Sequence, residues 1–147
     1  MPEPHREVIR LAQEAHASIW RLSGDESTGD KLAAQITTAW QSKVQQAFGS
    51  RFQPEHPVAG HLRERIDLVD LLDGIAYELK VSPNNDHFEF YRDIFKILVA
   101  KSHLLPQIEA FCFLCPEIAS RRYAKGLRQA VLQEGDRLGF KLHVAGI

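Results

Sequence analysis

Apolar residues recur at helical spacing twice near the start of the chain. Val8, Leu11, Ala12, Ala15, Ile19 and Leu22 form one stripe, which predicts a helix over residues 5–22, followed by a polar, Gly-containing loop from Ser23 to Gly29. Leu32, Ile36, Ala39, Trp40, Val44, Ala47 and Phe48 form a second stripe, in a helix expected to start at Asp30 as N-cap and to stop at Gly49. Residues 50–62 carry two prolines and little periodicity, with Val58 to Leu62 the best stretch for a short strand. The pattern then changes to two β-rich runs, Arg65 to Leu72 and Ile75 to Val81, separated by Asp73-Gly74. An Asp-Gly pair between two such runs is a strong hairpin signal.

A third helical face follows between Asp86 and Lys101, built from Phe88, Tyr91, Ile94, Phe95, Leu98 and Val99. Ile108 to Cys115 reads as a buried strand ending at Pro116. A longer helix is expected from Glu117 to Leu138, leading through Gly139 into a last strand, Phe140 to Val144. The order helix, helix, hairpin, helix, strand, helix, strand predicts an α/β fold: a mixed central β-sheet flanked by helices on both faces. With 147 residues the chain is long enough for one domain, 1–147, divided here into an N-terminal helix and loop (1–29) and a core (30–147).

Composition narrows this picture without changing it. The chain is 44% apolar and 25% charged, as expected of a globular protein, and no apolar run reaches membrane-spanning length. The polar start carries no secretory apolar stretch, so a cytoplasmic protein with no membrane association is the expectation. Cys112 and Cys115 are too few for a disulfide framework, and three residues apart on a strand they point to opposite faces, as core thiols rather than chelators. The seven histidines show no H-E-x-x-H spacing. A net charge of -1 argues against a uniformly basic nucleic-acid-coating surface, though not against a local basic face.

The hairpin carries the candidate chemistry. With Asp73-Gly74 at the centre of a two-residue turn, Val69 pairs with Glu78 and Asp67 with Lys80, so that Asp67, Glu78 and Lys80 share one face and Asp70 lies on the other beside Tyr77. A register slipped by one residue would instead offer Asp70. Two neighbouring carboxylates repel unless a positive charge sits between them, and a hard divalent cation is the partner that carboxylate oxygens prefer. Such an ion polarises a phosphoryl oxygen and acidifies a bound water, while a nearby ammonium orients that water or offsets transition-state charge. This is a toolkit for phosphodiester hydrolysis.

Arg65-Ile66-Asp67, then Glu78-Leu79-Lys80 on the next strand, then a helix, resembles the PD-(D/E)XK nuclease superfamily over about Asp30 to Leu114. The resemblance implies a restriction endonuclease-like core (helix, three strands, helix, strand), here with an extra N-terminal helix. It implies Asp67 and Glu78 as Mg2+ ligands, with Mn2+ as a substitute, and Lys80 as the catalytic lysine. It also implies nucleic acid, DNA first, as substrate, and a homodimer that brings two sites to two strands. The family's proline before the aspartate is absent, and so is its glutamate on the helix before the hairpin. Gln35 is the nearest equivalent, with Glu64 or Glu55 as alternative contributors. Asn84 and Asn85, in the loop Ser82 to Asp86, serve either as turn and N-cap or as substrate contacts. Arg121, Lys125 and Arg128 share a face of the expected long helix, as phosphate contacts or as a solvated face. The alternative to a nuclease is a module that keeps the fold for nucleic-acid or protein binding and has lost catalysis.

Overall fold

The computed structural model describes residues 3–23 and 29–147, with side chains described for 3–20 and 31–147. The expected loop at 24–28 and the capping side chain of Asp30 lie outside the described residues. The two N-terminal stripes form helices α1 (Glu3–Ser23) and α2 (Gly29–Phe48). After a 3-10 turn at Gly49–Arg51 come three strands, β1 (Phe52–Pro57), β2 (Arg65–Asp70) and β3 (Ile75–Leu79). Helix α3 (Asp86–Ser102) leads to β4 (Ala110–Cys115), and a broken helical stretch leads to β5 (Lys141–Gly146).

The five strands form one sheet in chain order. β1, β2 and β3 make an antiparallel meander, whereas β4 and β5 join it in parallel. Parallel neighbours need a long crossover, which α3 supplies between β3 and β4. Each sheet face buries its own apolar core. On one side Phe52, Leu68, Ile75, Tyr77, Cys112 and Leu114 pack against Val8, Leu11, Ala12 and Ala15 of α1 and Ile36, Trp40 and Val44 of α2. On the other, Val69, Ala76, Phe111, Phe113 and Cys115 pack against Phe90, Ile94, Ile97 and Ala100 of α3 and Ala119 and Tyr123 beyond β4. The two free cysteines therefore sit in opposite cores, as strand alternation requires. The fold is a mixed α/β sheet flanked by helices on both faces. α1 is part of the packing rather than an appendage: Trp40 Nε1 donates to the Val8 carbonyl at 3.0 Å.

Four sequence expectations need correction. Helix α3 turns Phe90, Ile94, Ile97 and Ala100 inward, so Phe88 and Phe95 of the expected apolar face are exposed instead. The short strand is Phe52–Pro57, not Val58 to Leu62. Both prolines are tolerated because β1 lies at the sheet edge, where their missing N–H groups break no ladder. The hairpin turn has four residues, Leu71 to Gly74, with Asp70 paired to Ile75. Gly74 has φ +67 and donates its N–H to the Asp70 carbonyl at 2.9 Å. A Cβ there would run into the Gln107 carbonyl, so glycine is demanded twice over. Lastly, the long helix is broken into α4 (Glu117–Ser120), a 3-10 turn (Arg121–Ala124), α5 (Gly126–Leu132) and α6 (Gly135–Leu138). The break falls where Lys125 is extended and Gly126 takes φ +67. The 3-10 turn drives Tyr123 into the core, edge-on to Phe90 at 5.0 Å.

Candidate functional site

Leu68 pairs with Tyr77 across the hairpin, and continuing that register by one residue sets Asp67 opposite Glu78. The expected register is off by two. A shift of two preserves faces, so Asp67 and Glu78 do share a side, and as direct partners rather than diagonal ones. Glu78 Oε1 lies 3.4 Å from the Asp67 N–H, and Asp67 Oδ2 accepts from the Leu79 N–H at 2.8 Å. Both carboxyls face the α3 side of the sheet, and Glu78 is buried. Burial pushes the Glu78 pKa well up, and the Asp67 charge adds to the effect. Asp67 is also raised by burial, against the pull of the Leu79 N–H and of Lys96.

The positive charge beside this pair comes from α3. Lys96 Nζ lies 2.5 Å from Glu78 Oε1 and 3.3 Å from Asp93 Oδ1. Burial works against the Lys96 charge, but Glu78 and then Asp93 outweigh it and its pKa rises. Asp93, one turn earlier on the same helix, is held up at about 6 by burial in spite of Lys96 and Arg92. Lys80 follows the last residue of β3. Its N–H bonds to the Leu114 carbonyl at 2.7 Å, and its ammonium lies 3.8 Å from Glu89. Lys96, from the helix, is the ammonium engaged with the acids, whereas Lys80 is loosely held by Glu89.

Helix α2 approaches through Gln41, not Gln35. Gln41 is buried, and its Nε2 donates to the Asp67 carbonyl at 2.6 Å and to Glu55 Oε1 at 2.9 Å. Gln35, six residues earlier and so about 120° round the helix, is exposed. Glu55 lies opposite Asp67 in the β1–β2 register and takes φ 50 in mid-strand, an uncommon backbone for a non-glycine residue. Its charge contributes to the raised Asp67 pKa. Among the described residues, no three or more His, Cys, Asp or Glu side chains come together closely enough to hold a metal ion.

Asp70 has a structural task. Buried on the opposite face, it receives a forked hydrogen bond from Arg51 at 2.8 and 2.7 Å and accepts from the Leu72 N–H at 3.0 Å. Asp73 shares the same guanidinium at 2.8 Å.

Asn84 and Asn85 are exposed, and Asn85 caps α3 with φ 56 but no side-chain hydrogen bond. Their loop is tied down from the C-terminal segment: Arg122 donates to the Pro83 carbonyl at 3.0 Å and to the buried Asp86 at 3.2 Å. Arg128 lies 3.7 Å from Asp86 and stands over the Tyr123 ring at 5.6 Å. Because the helix breaks at Gly126, Arg121, Lys125 and Arg128 do not form the expected common face. Arg128 is half-buried against the fold, Arg121 pairs with Glu117 at 3.4 Å, and Lys125 is exposed.

A groove of about 450 Å³ opens beside Lys96, between α3 and the β1–β2 connection. Gln41 and Lys96 carry the weakest sequence signals of the site. Each is a polar residue at the margin of an apolar stripe, and nothing local distinguishes it from a solvated neighbour. No protein-family model, curated protein or solved structure matches the chain.

Proposed function

We propose that this chain is a metal-dependent nuclease of the PD-(D/E)XK kind, with a restriction endonuclease-like core running from α2 to β4. The observation that carries the reading is the facing pair Asp67 and Glu78, two acids on neighbouring strands with the Lys96 ammonium against Glu78. The order α2, antiparallel β1–β2–β3, α3 and parallel β4 agrees with the core that the sequence resemblance implies.

The two side-by-side carboxyls are the donor type that a hard cation prefers. Both carboxyls are pushed above their ordinary pKa by burial and crowding, so both gain from a nearby positive charge. Asp67 and Glu78 would hold Mg2+ or Mn2+, which when bound polarises a phosphoryl oxygen and acidifies a water. Gln41 fixes β2 against α2 and keeps the Asp67 backbone in place. Lys96 holds Glu78 in position from α3. Lys80, weakly held by Glu89, is the ammonium able to turn toward the attacking water and the charge that builds on the phosphoryl oxygens. The water oxygen forms the new bond to phosphorus as the bond to the leaving sugar oxygen breaks; the attacking water loses a proton to solvent and the departing oxygen takes one from solvent, which leaves a phosphomonoester and a free hydroxyl.

Purified Asp67→Ala, Glu78→Ala and Lys80→Ala should each lose about 100-fold or more of divalent-dependent DNA cleavage while keeping the wild-type circular dichroism spectrum. Full activity in the Asp67 or Glu78 variant would end the assignment. The close Lys96–Glu78 pair supports a second reading, a nuclease-fold module whose acids are neutralised internally and which no longer cleaves. Calorimetric titration separates the two: heat of binding with millimolar Mn2+ that vanishes in Asp67→Asn supports the enzyme, and a flat titration supports the module.

A further inference from the structure

The outer face of α3 carries features that neither core uses. Phe88 and Phe95 are 66% and 68% exposed, two helical turns apart and therefore on the same side of the helix. Arg92 falls between them on that side and is itself exposed. Phe95 and Arg92 form one wall of the groove beside Lys96, and Leu62 and Arg65 form part of the other. The charged groups lining this groove are Arg65, Arg92, Lys96 and Glu64; Lys96 is engaged by Glu78 and Asp93, and Arg92 forms a surface pair with Glu89 at 2.6 Å, of the kind a phosphate can displace. Its volume of about 450 Å³ falls within the usual range for ligand sites, roughly 300–1,000 Å³. The groove ends at Lys96, whose ammonium touches Glu78.

We propose that this groove seats a single, unpaired nucleic-acid strand, with a base stacked on Phe95 and its phosphates between Arg65 and Arg92. An exposed ring offers its face to a base only where that base is free of its own stack, which a duplex does not permit and a single strand does. The cations supply the sequence-independent attraction for phosphate. A buried apolar anchor on a protein partner would not call for exposed guanidiniums, Arg65 and Arg92, on both walls beside the ring, so charge selects a polyanion. The inference rests on the nuclease reading only for what happens next: a strand in this groove passes its backbone toward the Asp67–Glu78 pair.

The test is fluorescence anisotropy in chelator, so that binding is read without cleavage, using a twelve-residue oligothymidylate and a duplex of the same length. The single strand should bind more tightly than the duplex. Phe95→Ala should weaken single-strand binding about five- to 150-fold, the range of one lost base–aromatic stack. Leu127→Ala, an equally exposed apolar residue on α5, should leave it unchanged. Arg65→Ala should reduce the slope of log affinity against log salt by about 0.7, the value for one phosphate contact on a single strand. Tighter duplex binding, no binding of either probe, or equal affinity in wild type and Phe95→Ala each overturns the groove assignment. Cleavage is scored separately, with Mn2+ added: strand binding that depends on Phe95 without cleavage removes the nuclease reading and leaves the groove standing, whereas cleavage with an inert Phe95 does the reverse.

Discussion

His5 is on the buried face of α1, with its Nδ1 2.8 Å from the Tyr77 hydroxyl and its ring 6.2 Å from that of His143. Burial, followed by the neighbouring His143, holds its pKa below the ordinary value, and burial also lowers His16 and His143. These histidines are kept neutral by the fold. As pH falls through about 6.5, the unfolded chain takes up protons that the folded chain refuses, so this share of stability is present above that pH and lost below it. Asp67, Glu78 and Asp93 have the opposite sign: raised in the fold, they favour the folded state at low pH and cost stability as pH rises past about 4. A comparison of variants separates the two contributions. Urea unfolding at pH 8 and pH 5.5 should show a smaller acid-induced loss in His5→Gln than in wild type, and an identical loss in both would contradict this account of His5.

The hairpin shows what the chain pattern reveals about an element and what it conceals. Alternation of apolar and polar residues located both strands and the correct faces, because parity survives a two-residue error in register. The turn length was concealed because it is set by contacts from afar. Arg51, nineteen residues before Asp70, clamps the buried carboxylate, and the Gln107 backbone limits the space at Gly74. β1 was hidden by its two prolines, which signal a loop until the strand is known to lie at an edge. The broken helix has a similar cause: the apolar spacing continues past Gly126, but the need to bury Tyr123 decides the path. At the site, the acids were legible from the hairpin alone, whereas Lys96 and Gln41 belong to it only through docking of α3 and α2. Arg51→Met tests the element-scale claim. It leaves the Asp70 carboxylate buried without its guanidinium and should cost about 3–5 kcal/mol in chemical denaturation. A cost below 1 kcal/mol would mean that the clamp does not hold the turn.

Across the whole molecule, α1 packs into the same apolar cluster as α2 and the sheet. Val8, Leu11, Ala12 and Ala15 are inside one of the two apolar clusters, and Trp40 is fully buried with its indole bound to the Val8 carbonyl. A fragment of residues 30–147 exposes that face of the sheet and should fail to unfold cooperatively, with weak amide dispersion in NMR spectra. A sharp two-state transition in the fragment would show that α1 is dispensable. The described residues contain no helix long and apolar enough to cross a membrane.

The β1 edge carries a consequence for assembly. Pro54 and Pro57 offer no N–H to a newcomer, and the left-handed backbone at Glu55 interrupts the regular row of donors and acceptors between them. A neighbouring copy therefore cannot extend the sheet past β1 into a continuous ribbon. Any self-association of this chain must be joined through β5 or through helix surfaces, and the flank nearest the paired acids stays closed to strand-by-strand growth.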